Sequence, residues 1–242
     1  MLDSTMSLVI TGNTLMGSVD FDPGPGTAMS APTSNFVAKY ALNGTLKFVR
    51  FYEDSIRISC LARLSGDRIL IALGLNATVD MDPGPGVEIF TPYPNTELPF
   101  FGHDVLFSLL DSSGIFIYAK KFGGYYTERP LKILVDEFDN FYIAGHFTDS
   151  ILTDPNISMQ GINSVGNQDA FIAYFDQNGK NQFILPLESM GTDYYINNLL
   201  LDKNYHLIIS GGYEGYTDFD LGINVAQDFL QDTVIFMHPD TD

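Results

Sequence analysis

The sequence predicts an all-β fold built from about four copies of one four-stranded unit, and three observations carry that prediction. The octapeptide VDFDPGPG at residues 19–26 returns as VDMDPGPG at residues 79–86, which gives a period of about sixty residues. Short apolar runs recur around it in a fixed order, and turns rich in Gly and Asn separate them. Short strands at regular spacing are typical of all-β repeat architectures.

Each repeat contains up to four predicted strands, A to D. Strands A and B and the turn between them are marked by LDSTMSLVITG (2–12), ARLSGDRILIA (62–72), VDEFDNFYIAG (135–145) and LDKNYHLIISG (201–211). In three of these blocks an Asp (Asp3, Asp136, Asp202) stands nine residues before the last residue, and Arg63 holds that place in the second. Strand C follows in all four copies and strand D in the first three. The repeats therefore lie at approximately 1–55, 56–128, 129–193 and 194–242, with both terminal repeats incomplete.

Strands B and C are nearly continuous apolar runs, which indicates burial on both faces. Sheets of four strands bury two faces when they stack radially, as the blades of a β-propeller do. The C–D turns LNG, SSG and QNG end in Gly, the residue that accepts the positive φ of tight hairpin turns. We predict one β-propeller domain over 1–242 with four-stranded antiparallel blades, either as an open arc or as a fragment of a larger propeller. A closed four-bladed ring is the alternative, at the cost of a defective seam between exposed edges.

The segments GSVDFDPGPGT, NFVAKYALNG, FIYAKKFGG and ILVDEFDNFYIAGHF resemble the repeats of the bacterial SBBP-type β-propeller family. The likeness covers essentially the whole chain, because several blocks recur in the family's order. It departs at the family's frequent strand-D Trp, which is replaced by Phe48, Tyr118 and Phe183. The resemblance implies that these aromatics fill the space between blades, that the protein is secreted or surface-associated, and that no particular residue is catalytic.

Charge narrows the range of partners. The chain carries 30 acidic and 12 basic residues, a net charge of −18, which repels nucleic acid and anionic lipid.

No apolar run is long enough to span a bilayer, so no membrane insertion is predicted. The N-terminus lacks a basic segment before a hydrophobic one, so no signal peptide is predicted within this chain. The single cysteine, Cys60, is expected in the core. We expect an extracellular or cell-surface protein whose targeting sequence lies outside this chain.

The repeated acidic loops present paired carboxylates that favour either a turn or a calcium site. The candidate ligands are Asp20, Asp22, Asp80, Asp82, Asp218 and Asp220. A helix-loop-helix calcium loop requires a bidentate Glu at position twelve, and those positions hold Ala31, Thr91 and Phe229. We therefore predict structural turns, with calcium-stabilised repeats as the alternative and no other cofactor.

The loop pattern indicates where a ligand would bind. Consecutive antiparallel strands place the tight A–B and C–D turns on one rim and the longer B–C and D–A loops on the other. We predict a binding rim from aromatic residues of the longer loops: Tyr93, Phe100, Phe101, Tyr125, Tyr126, Tyr194 and Tyr195. Aromatic rings beside carboxylates suit a sugar ring or a protein partner. The competing interpretation is that these rings pack between blades.

No enzyme signature is present in the sequence. The histidines His103, His146, His206 and His238 are far apart and lack zinc spacing, and there is no P-loop, dinucleotide fingerprint or G-x-S-x-G elbow. We predict no catalytic residue, and the leading function is a non-enzymatic scaffold for protein or glycan binding. A propeller hydrolase or lyase is the alternative, and it requires Asp, Glu or His gathered at the central channel.

Overall fold

A computed structural model describes residues 1–93, 103–154, 158–165, 167–187, 194–213 and 234–239. The all-β prediction is confirmed, since these residues contain no α-helix and only one 3-10 turn, at Ser65–Asp67. The strands, in chain order, are β1 Leu8–Thr14, β2 Ser34–Tyr40, β3 Leu46–Tyr52, β4 Ile56–Arg63, β5 Ile69–Leu75, β6 Val79–Asp80, β7 Ile89–Phe90, β8 Asp104–Leu110, β9 Phe116–Phe122, β10 Glu128–Val135, β11 Phe141–Phe147, β12 Ser150–Asp154, β13 Ser158–Asn163, β14 Asp169–Phe175, β15 Asn181–Leu187, β16 Tyr194–Leu201, β17 Leu207–Tyr213 and β18 Val234–Pro239.

The four main sheets follow the predicted repeat order. The chain divides into two compact units, one formed by residues 1–92 and 105–121 and the other by 93–104 and 122–242. The first unit contains the sheets β1-β2-β3 and β4-β5-β8-β9, and the second contains β10-β11-β14-β15 and β16-β17-β18. None of these sheets closes on itself. Each is ordered as the chain runs, as strands A to D predict.

The fourth repeat departs from the predicted antiparallel arrangement. Its strand β18 pairs parallel to β17, with Ile208 opposite Val234 and Tyr213 opposite Pro239. The corresponding pair in the third repeat, β11 with β14, is antiparallel. A parallel pair needs a crossover connection of about a dozen residues or more. The chain between β17 and β18 is long enough for one, so the antiparallel prediction is wrong at this pair.

Each unit has a hydrophobic core to which both of its main sheets contribute. In the first unit Val37 and Phe48 belong to the same core as Ile71 and Leu106. In the second, Ala144, Ile172 and Phe183 share a core with Leu199 and Ile209. Every residue of β5 and β8 is buried, as their continuous apolar runs predicted. Each fully buried Leu or Ile contributes roughly 1.5–3 kcal/mol to stability.

The A–B turns share one backbone geometry. The turn-closing N–H···O=C bonds run from Asp3 to Ser7, Leu64 to Arg68, Asp136 to Asn140 and Asp202 to His206. Where an Asp begins the turn, its Oδ1 accepts two further backbone N–H groups, from Thr5 and Ser7 in the first copy. Leu64, not Arg63, is therefore the counterpart of the three aspartates. The sequence alignment was wrong by one residue there because it aligned Ala72 with the small residue that ends the other copies.

The C–D turns confirm the role predicted for glycine. They close from Ala41 to Thr45, from Asp111 to Ile115 and from Asp176 to Lys180. Their fourth residues are Gly44, Gly114 and Gly179, with φ of 87°, 77° and 68°. A side chain disfavours this left-handed backbone.

Among the described residues, no helix is long and apolar enough to cross a membrane.

Candidate functional site

The two described acidic loops hold their carboxylates with their own backbone. Asp20 Oδ1 accepts the N–H groups of Asp22 and Ala28, at N···O distances of 3.0 and 2.8 Å. Asp22 Oδ1 accepts the N–H of Gly24 at 2.8 Å. These bonds hold the pKa of Asp20 below its ordinary value. The chain then pairs back on itself through a bridge between Asp20 and Met29.

The second copy repeats this geometry. Asp80 Oδ1 accepts from Asp82 and Glu88, and Asp82 Oδ1 accepts from Gly84 at 2.8 Å. A Cβ at Gly86 would lie 2.0 Å from Asp82 Oδ2. A side chain at Gly86 would therefore collide with the carboxylate that holds the loop. Asp218 and Asp220 lie outside the described residues. Over the residues whose placement is described, no group of three or more His, Cys, Asp or Glu side chains could hold a metal ion.

A buried pair of carboxyl groups lies in the second unit. Asp104 and Glu128 are 1% and 0% exposed. A Cβ placed on Gly123 would lie 2.8 Å from Asp104 Oδ1 and 2.7 Å from Glu128 Oε2, so both oxygens face this one backbone position. Glu128 Oε2 accepts the N–H of Gly124 at 2.9 Å. Its other oxygen, Oε1, is buried and accepts no hydrogen bond.

Electrostatics favour the protonated form of Glu128. Burial raises the pKa of its carboxyl well above the ordinary value, and the negative charges of Asp104 and Asp149 add to the rise. The hydrogen bond from Gly124 opposes the rise without cancelling it. Two carboxylates this close cannot both ionise without a large cost, because a like charge in a low-dielectric site disfavours the charged form.

The scaffold does not require a glutamate at this position. Glu128 is the first residue of β10 and pairs with Phe147, the last residue of β11. In the preceding repeat the corresponding first residue is Ile56, which pairs with Leu75. Sequence reasoning overlooked Glu128 within the segment YYTER. An acidic residue where the neighbouring repeat has a core isoleucine was the signal that could have found it.

The carboxyl pair anchors the loops that carry three of the predicted rim tyrosines. Asp104 Oδ2 accepts the backbone N–H of Tyr93 at 2.8 Å. Tyr126 O accepts the N–H of His103, and His103 O accepts the N–H of Glu128 at 2.7 Å. Tyr125 lies between Gly124 and Tyr126, and its side chain is 42% exposed. Tyr93, Tyr125 and Tyr126 thus lie on loops joined by one hydrogen-bond network, which we call the anchored loops.

The other four predicted rim residues are two phenylalanines and two tyrosines. Phe100 and Phe101 lie outside the described residues. Tyr194 and Tyr195 begin β16, where their backbones pair with Tyr213 and Gly212. In the third repeat, Asp169 Oδ2 accepts the N–H of Val165 at 2.7 Å, as Asp104 does for Tyr93. Aspartates at the start of strand C therefore bind the loop that precedes them.

Two histidines flank the anchored loops. Burial lowers the pKa of His146 to about 4, and the charge of Arg129 adds to the shift. Burial and Arg129 also lower the pKa of His103. Both rings are therefore neutral at physiological pH.

No protein-family model matches the chain, and no curated protein matches it. The resemblance to SBBP-type repeats therefore remains a prediction.

Proposed function

We propose that the chain is a non-enzymatic β-propeller repeat module of a bacterial extracellular or cell-surface protein, and that it binds a protein or a glycan through its aromatic B–C and D–A loops. The anchored loops carry this proposal. They present an exposed tyrosine on backbone fixed to two buried carboxyl groups. Binding residues tend to lie on loops held by a rigid scaffold, and a pre-ordered tyrosine loses little conformational entropy when a ligand binds.

The buried carboxyl pair resembles an enzyme's acid–base pair, but its burial supports a binding function more strongly than a catalytic one. A carboxyl group of raised pKa beside a second carboxyl is the arrangement that a glycoside hydrolase uses. General acid catalysis requires contact between that group and the substrate. Asp104 and Glu128 are no more than 1% exposed, so a substrate cannot reach them. Their hydrogen bonds to the backbone indicate that they position the loops.

The proposal is tested by binding the chain to a panel of glycans and bacterial surface proteins, followed by substitution of the anchored loops. We expect Tyr125→Ala to weaken binding to a ligand found in the panel by about tenfold or more, as loss of an aromatic contact does. Tyr205→Ala is the matched control, because Tyr205 is similarly exposed, at 50%, in an A–B turn of the same unit.

An equal effect of Tyr125→Ala and Tyr205→Ala would show that the anchored loops are not the binding face. Failure of every glycan and protein to bind would count against the scaffold proposal itself.

A further inference from the structure

A cleft of about 320 Å³ opens in the first unit, beside the tight turns and away from the longer loops. Its lining residues are Thr5, Lys39, Lys47, Phe48, Asp67, Ser112 and Ser113. They come from two A–B turns, one C–D turn and strands C and D of the first repeat. A volume near 300 Å³ is at the small end of ligand sites, which suits a ligand of one sugar-sized ring.

The floor of this cleft contains a buried ion pair. Lys39 Nζ lies 2.7 Å from Asp3 Oδ2, and both side chains are nearly inaccessible. Lys39 Nζ also donates to Ser112 O at 3.0 Å. Lys39 is therefore a fixed donor and not a mobile surface lysine.

The fold does not require this lysine. The turn register makes Leu109 and Tyr174 the counterparts of Lys39, just as Leu64 and Asp136 are the counterparts of Asp3. Leu64 and Leu109 are both buried. In the third repeat, Tyr174 donates to Asp136 at 3.4 Å. Of the first three repeats, whose strand C side chains the structure describes, the first alone places a cation here.

The wall of the cleft is also held in place. Arg50 Nε donates to Gly114 O at 2.8 Å and Arg50 Nη2 donates to Ser113 O at 3.1 Å. Together with the bond from Lys39 to Ser112 O, these contacts fix the backbone of the turn that carries Ser112 and Ser113. The Lys39 ammonium and the backbone of Ser112 and Ser113 are therefore held in place before any ligand arrives.

Among the charged side chains that line the cleft, Lys47 is the one without a carboxylate partner. The Lys39 charge is balanced by Asp3, and Arg63 lies 3.7 Å from Asp67. Lys47 is exposed, and its ammonium contacts a hydroxyl, Thr5 Oγ1, at 3.4 Å. A site with one uncompensated positive charge and several hydroxyl groups matches a singly charged, hydroxylated ligand better than a phosphate dianion.

We propose that this cleft binds the carboxylate of an acidic monosaccharide, of the hexuronic acid class, with the exposed Lys47 as its cationic donor. Ser112 and Ser113 contact the ring hydroxyls. The site is separate from the anchored loops and does not depend on their proposed function.

The test is saturation-transfer NMR and calorimetry with glucuronate, using methyl glucoside and inorganic phosphate for comparison. We expect glucuronate to bind with a Kd on the order of millimolar, as a ligand of this size allows. Lys47→Gln should weaken binding about five- to tenfold, because it removes a charged donor. Lys203→Gln is the matched control, since Lys203 is also exposed and lies in the A–B turn of the fourth repeat.

Three results would overturn the assignment. They are no binding of glucuronate, equal binding of methyl glucoside or phosphate, and an equal loss in Lys47→Gln and Lys203→Gln. Lys47 is exposed, so its variant is expected to fold. Ser113→Ala provides a second variant, and we expect it to weaken glucuronate binding without changing the melting temperature.

Discussion

Replacing Glu128 with Gln should make the protein progressively more stable than wild type as the pH rises. The substitution keeps the size of the side chain and an oxygen that can accept the Gly124 N–H, but it removes the ionisable proton. Burial and the charge of Asp104 raise the pKa of Glu128 in the folded state. The folded protein therefore binds this proton more tightly than the unfolded chain does.

The sign and size of the effect follow from linkage. A group whose pKa is raised on folding stabilises the protein at low pH, and this contribution falls as the pH rises from the unfolded value, 4.5, to the folded one. Within that window the wild type loses up to about 1.4 kcal/mol per pH unit from this group, and Glu128→Gln loses none. The histidines His103 and His146 titrate in both proteins, so their contribution cancels in the difference.

The measurement is urea denaturation of both proteins at half-unit steps from pH 4.5 to 8.5. Glu53→Gln is the control, because it removes one acidic residue at an exposed position of the preceding D–A loop. We expect the stability difference from wild type to grow with pH for Glu128→Gln, and to grow more steeply than the difference measured for Glu53→Gln. Parallel curves for wild type and Glu128→Gln would refute the argument that burial holds the proton on Glu128.

Three further predictions concern the scaffold. Gly114→Ala should lower the free energy of unfolding by at least about 1 kcal/mol more than Gly44→Ala, as measured by chemical denaturation. Both glycines have positive φ, but only at Gly114 would a Cβ meet the Phe48 ring, at 2.7 Å. Equal losses in the two variants would rule out the clash. Asp3→Asn should cost about 3–5 kcal/mol at pH 7, since it leaves the Lys39 ammonium buried without a counter-charge. Burial would raise the pKa of Asp3, but Lys39 and backbone N–H groups outweigh it and lower the pKa. The wild type should therefore lose this stability below about pH 4. An equally steep loss of stability in acid for Asp3→Asn would contradict this prediction. Calcium and chelator should give the same melting temperature, because backbone N–H groups already bind the loop carboxylates, and a higher value with calcium would favour the calcium-stabilised repeat.

The repeat order and the buried strands could be predicted because both depend on local patterns. Continuous apolar runs specified β5 and β8, and terminal glycines specified the C–D turns. The register of the second A–B turn could not be read, because Leu64 replaces the aspartate that marks the other copies. The direction of β18 could not be read either, since strand direction depends on a connection whose path is not a local property.

The acidic anchor was harder to predict than the tyrosines around it. Tyr125 and Tyr126 stand out as adjacent aromatics in a loop segment. Asp104 and Glu128 are 24 positions apart in the sequence. Their proximity depends on the way the backbone at Gly123 brings the two loops together, which no spacing rule encodes. Long-range contacts of this kind require the fold.

Comparison of the repeats separates residues that support the scaffold from one that does not. Where the first repeat has the ion pair Asp3–Lys39, the third has Asp136 with Tyr174, so a change in one partner is matched by the other. Glu128 differs, because it replaces a core isoleucine and leaves one buried oxygen without a hydrogen bond. Such an oxygen costs about 1–3 kcal/mol, which Ile56 avoids at the corresponding position. A residue that costs stability and also anchors an exposed tyrosine loop is better explained by what the loop binds than by what the sheet requires.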